Sequence, residues 1–140
     1  MIRFMRMLLM VVAVAMASVV WGDDLATLQG KWSVKKTGDR GSFTQQLEFK
    51  DKKFIFKIVN SEDAVTFVAT GEVELKKQGP FNTARFFAIK AGRSDTELEP
   101  VDEERNSVYL LDGGQFYLAS NFDKAREREK PSVDAYAKAN

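Results

Sequence analysis

Leu28-Gln29-Gly30-Lys31-Trp32-Ser33-Val34 is the stretch on which the fold turns. Leu28, Trp32 and Val34 form a short apolar alternation of the kind that opens a barrel strand. Gly30 lacks a side chain and lets another segment approach the backbone closely, while Trp32 offers one large ring to fill a closed end. Everything before this stretch reads as a targeting segment. Everything after it reads as short strands returning to a core anchored by Trp32.

Met1 to Gly22 has the order of a secretory signal peptide. Arg3 and Arg6 supply the positive start, Met7 to Ala17 is an unbroken apolar run, and small residues follow. The run is short for an ordinary membrane span, and Asp23-Asp24 comes directly after it. Cleavage is expected after Gly22, with Ala17 the next candidate position and an uncleaved anchor the alternative. Without Arg3 and Arg6 the 21 basic residues become 19, against 20 acidic ones, a net charge of −1. So balanced a surface argues against nucleic acid or an anionic membrane as a partner once the leader is gone. There is no Cys, hence no disulfide and no lipidated cysteine. One domain fits this length, and its core is modest.

Along the mature chain, Asp23 to Gln29 is a polar lead-in with room for one helical turn, and Lys31 to Lys36 is the first strand. Phe43, Gln45, Leu47 and Phe49 alternate with polar residues, the period-2 signal of a half-buried strand. Asp51-Lys52 turns the chain into Lys53 to Val59, where Phe54, Phe56 and Ile58 form an inner row. From Val65 the alternation continues through Phe67, Ala69, Gly71, Val73 and Leu75. Gly71 suggests a bend or bulge that divides this run into two strands. Thr83 to Lys90 is a further strand whose facing the adjacent Phe86 and Phe87 leave open. A short strand is expected around Thr96 to Leu98. Asp112-Gly113-Gly114 then marks a last hairpin between Ser107 to Leu111 and Gln115 to Ser120. The domain reads as 23–122. Residues 123–140 read as a charged, partly helical or flexible tail.

Short strands with near turns and no amphipathic helix between them favour an all-β, antiparallel up-and-down barrel of about eight strands. Leu28-x-Gly30-x-Trp32, the aromatic hairpin of Phe49, Phe54 and Phe56, Gly71-x-Val73-x-Leu75 and Tyr109-x-Leu111-Asp112-Gly113 resemble the lipocalins. The likeness is closer to a family of small secreted bacterial lipocalin-like domains of unknown function, and it covers roughly Leu25 to Arg128. It implies a closed barrel and a final strand after the Asp-Gly hairpin. Here the chain ends instead in Asp134-Ala135-Tyr136-Ala137-Lys138-Ala139-Asn140, a poor strand, so closure is left open. It also implies an Arg packed on the opening Trp near the barrel's end, with Arg126 and Arg128 as candidates.

The chemistry on offer is narrow. No His and no Cys means no ordinary nucleophile–base pair and no zinc or haem ligand set, so no cofactor or metal is expected and the chain does not read as an enzyme. Asp95, Glu97, Glu99, Asp102, Glu103 and Glu104 are dense enough for a carboxylate pair or a calcium site. They lack the spacing of a calcium loop, and a solvated loop balanced by Arg93 and Arg105 is the plainer reading. The candidate ligand-binding residues are Phe43, Gln45, Leu47, Phe54, Phe56 and Phe67, with Gly30 and Trp32 structural. Gln45 is the one polar group on the row. An eight-stranded barrel either just fills or holds one small ligand, and the many phenylalanines favour a small or absent cavity. The expected function is binding of a small apolar or amphipathic ligand. The alternative is an extracytoplasmic interaction or inhibitor module with a filled core. Oligomeric state is not legible in the sequence.

Overall fold

The computed structural model describes residues 23–122 and 130–139. The segment read as a signal peptide lies outside the described residues, as do the charged run 124–128 and both arginines considered as partners of Trp32. The described chain runs α1 (Asp23–Leu28), β1 (Gly30–Gly38), β2 (Gly41–Lys50), β3 (Lys53–Asn60), β4 (Val65–Gln78), β5 (Phe81–Gly92), β6 (Glu99–Pro100), β7 (Arg105–Asp112), β8 (Gln115–Ser120) and β9 (Ser132–Lys138). Every pairing is antiparallel. β4 pairs with both β3 and β5, and β1 pairs with both β2 and β9, so the ring closes. The result is a closed, lipocalin-like barrel of eight strands, and β6 adds one short rung beside β5.

Closure comes from the segment that the sequence offers as tail. β9 pairs with β8 from Ser132 to Ala137 and reaches β1 at Trp32↔Lys138 and Ser33↔Ala137. The partly helical reading of the C-terminal residues is therefore corrected for Ser132–Lys138, and the barrel extends past residue 122. The reason is an inverted pattern. Ser132, Asp134 and Tyr136 alternate toward the interior, while Val133, Ala135 and Ala137 are exposed. An apolar-in, polar-out template misses such a strand.

One end of the barrel is filled. Phe116 is fully buried there, with ring centroids of Trp32 and Phe49 at 5.9 Å, Tyr109 at 5.8 Å and Tyr136 at 6.1 Å. The helical turn α1 covers this end by burying Leu28 completely. Its free C-terminal carbonyls find a partner in the core: Trp32 Nε1 donates to the Leu28 carbonyl at 2.8 Å. Tyr109 donates its hydroxyl to Asp24 at 2.7 Å and ties the start of α1 to β7. Gln29 bonds like a strip of backbone, accepting from Asp51 N at 2.6 Å and donating to the Asp51 carbonyl at 3.0 Å, which holds the β2–β3 turn against the helix. Gly30 has φ of +108°, a turn from helix into strand that a side chain resists.

Gly71 does not divide β4, which runs unbroken, but it does face a bulge. Thr70 pairs with Lys90 and Glu72 with Phe87, so three steps of β5 meet two of β4. Ala88, at φ +51°, takes up the extra residue. This settles the facing of β5: Ala84 and Phe86 are buried before the bulge, Ile89 after it. Phe87 turns outward, where the Arg85 guanidinium lies 4.2 Å from its ring centroid. The strand expected around Thr96 to Leu98 forms slightly later, as β6.

Candidate functional site

The opposite end of the barrel is open. Between α1's plug and this mouth lies a cavity of about 500 Å³, inside the range of roughly 300–1,000 Å³ that takes a drug-sized ligand. It is larger than the phenylalanine count suggests, and the reason is where the rings go. Phe49 and Phe116 pack at the closed end, Phe81 and Phe122 are exposed, and Phe87 faces outward. Among the described phenylalanines only Phe54, Phe56, Phe67 and Phe86 line the space. They do so as edge-on pairs, Phe54 with Phe86 at 5.0 Å and Phe56 with Phe67 at 6.1 Å between centroids.

Five of the six candidate ligand residues come together here: Gln45, Leu47, Phe54, Phe56 and Phe67 line one cavity. Phe43 does not. It occupies the last rungs before the β1–β2 turn, and its ring lies against Gly38 instead of reaching the interior. Gly30 and Trp32 hold the closed end. Trp32 is 2 % exposed and sits beneath the cavity, not in its wall.

The polar part of the lining was largely hidden in the sequence. Lys36 and Asp134 meet across the β1–β9 seam, Nζ to Oδ1 at 2.7 Å, and both contribute to the cavity wall. Tyr136 donates its hydroxyl to Gln45 Oε1 at 3.1 Å, so Gln45 is anchored in the cavity lining. Burial, with the Asp134 carboxylate adding to it, pushes the Tyr136 hydroxyl well above the usual tyrosine range and keeps it a donor. Ser107 and Ser120 share a hydrogen bond of 3.2 Å on neighbouring strands. Arg105 and Glu103 stand at the mouth, Nε to Oε1 at 4.0 Å.

The acidic connection is divided. Glu103 turns to the cavity, whereas Glu104 binds Arg85 on the outer surface through two contacts, Nε to Oε2 at 3.0 Å and Nη2 to Oε1 at 2.5 Å. Hydrogen bonding to Arg85 holds the Glu104 carboxyl below its usual range. Among the described residues no cluster of acidic, His or Cys side chains is arranged to hold a metal ion. No protein-family model, curated protein or solved structure matches the chain.

Proposed function

We propose that this chain is a secreted, non-enzymatic lipocalin-like protein that takes a small apolar or amphipathic molecule into its barrel. The observation that carries the reading is the open cavity of about 500 Å³ with a phenylalanine-rich lining. Removing apolar surface from water gains roughly 25 cal/mol per Å², so a small ligand reaches micromolar affinity there without a dedicated charge partner. The same cavity weighs against a filled barrel that acts only through its surface. The absence of His and Cys supports the non-enzymatic reading, and the charge–apolar–small order of residues 1–22 supports export.

Trp32 lies below the cavity and is a poor reporter, so Phe56→Trp in a Trp32→Phe background places one indole in the wall. Its emission is expected to shift as apolar and amphipathic ligands from a chemically broad library bind, with a rise in melting temperature. Silence in both readouts across the library removes the proposal.

A further inference from the structure

Polarity in this cavity is divided by strand, not by depth. A lipid with one head and one tail is matched by an apolar tube with a polar ring at its mouth. Here the wall from β3, β4 and β5 is apolar from near the plug to the mouth, through Phe54, Phe56, Phe67, Ala69, Phe86 and Ile89. The facing wall, from β7, β8, β9 and β1, is polar apart from Leu118 on β8. Ser107, Ser120 and Ser132 occupy neighbouring positions on three adjacent strands, Ser120 directly opposite Ser132 and within 3.2 Å of Ser107. The Lys36–Asp134 pair continues this row across the barrel seam. Below it, the Tyr136–Gln45 hydrogen bond carries polarity down toward the floor.

Resting on the proposal that the barrel is a binding protein, we infer that its ligands are facially amphipathic: rigid, uncharged polycyclic molecules with an apolar face and oxygen groups along the other. The rings of the apolar wall present flat surfaces to a flat body. Serine hydroxyls and the Gln45 amide both suit hydroxyl and carbonyl oxygens, since a hydroxyl rotates to donate or accept. The charged groups in the wall stand opposite charges of the other sign, Lys36 with Asp134 and Arg105 with Glu103, so no net ligand charge is called for. A flexible acyl chain leaves the serine row facing methylenes, which strips those hydroxyls of water without replacing it.

The test compares two uncharged probes by calorimetry on the intact protein. Methyl cholate carries its hydroxyls on one face of a rigid ring system, and monolaurin has one head and one flexible tail. Methyl cholate is expected to bind at least about tenfold more tightly. Replacing Ser107 and Ser120 together by Ala leaves neither hydroxyl orphaned and should reduce that preference several-fold. Ser132→Ala, nearer the mouth, gives the same readout if the double variant does not fold. Tighter binding of monolaurin, or a preference indifferent to the serines, overturns the inference while leaving amphiphile binding in place. If neither probe binds and the Phe56→Trp reporter is also silent, both fall.

Discussion

Lys138 Nζ lies 5.4 Å from the centre of the Trp32 ring and donates to the Thr27 carbonyl at 3.3 Å. The last strand of the barrel thus grips a core residue of the first, and it also touches the helical turn that precedes the first. Lys138 belongs to β9, a strand whose apolar residues Val133, Ala135 and Ala137 face outward.

Trp32→Ala should cost about 3–5 kcal/mol in denaturant unfolding, the range for a large aromatic lost from a core. Lys138→Ala removes one exposed cation from over the ring and should cost only about 0.5–1 kcal/mol. An unchanged melting temperature for Trp32→Ala removes the anchor from this account.

Deletion of Ser132 to Asn140 should be far more damaging than its exposed alanines suggest. It opens β1 and β8 as unpaired edges in a sheet that otherwise has none around its ring. Loss of a cooperative transition, with self-association on sizing, is the expected result. A truncated chain that melts as sharply as the full one shows that β9 does not close the barrel.

A methyl at Gly71 would lie 2.7 Å from the Phe87 carbonyl oxygen and 2.8 Å from the edge of the Phe54 ring. The β5 bulge crowds this position with backbone, which cannot swing away. Gly71→Ala should therefore destabilise by about 1–3 kcal/mol despite alanine's better strand packing. Ala88→Gly, which relaxes a positive φ, should be neutral or stabilising. Equal melting temperatures for Gly71→Ala and the parent protein would mean that the bulge is not fixed.

These positions show what the sequence could and could not reveal. The Asp51-Lys52 and Asp112-Gly113-Gly114 hairpins were legible because turn residues stand between clean alternations. Gly113 and Gly114 do take positive φ, +59° and +78°. β9 and the polar cavity wall were illegible for a shared reason: Asp134, Ser132 and Lys36 face inward, against the apolar-in rule. Phe86 and Phe87 could not be assigned faces because the answer depends on a bulge set by a strand 14 residues long that crosses beside them. The cavity itself depended on which phenylalanines stay outside, and adjacency in sequence carries little of that.

Acid should loosen the clamp between the acidic connection and β5. Glu104 has its pKa lowered from 4.5 by the hydrogen bond from Arg85, so its folded form favours the carboxylate. Its contribution is present above the unfolded value and is lost as pH falls through the lower folded one. Glu104→Gln should reduce the stability lost between pH 7 and pH 3, as read from melting temperatures at each pH. Parallel losses in the two proteins would assign the acid sensitivity elsewhere.

Export of the chain should remove its first 22 residues, since they have the order of a cleaved leader. N-terminal sequencing of exported protein should start at Asp23. Met1 on that protein would mean an anchor.

The claim that the barrel is a container is tested most directly by what it already holds. Protein purified under native conditions, extracted with organic solvent and analysed by mass spectrometry, should release a polycyclic or otherwise amphipathic compound in near-stoichiometric amount. Ala69→Phe, which puts a ring into the cavity from β4, should fold and release none. Extracts that are equally empty from both proteins, with no probe able to load the parent afterward, would contradict the account.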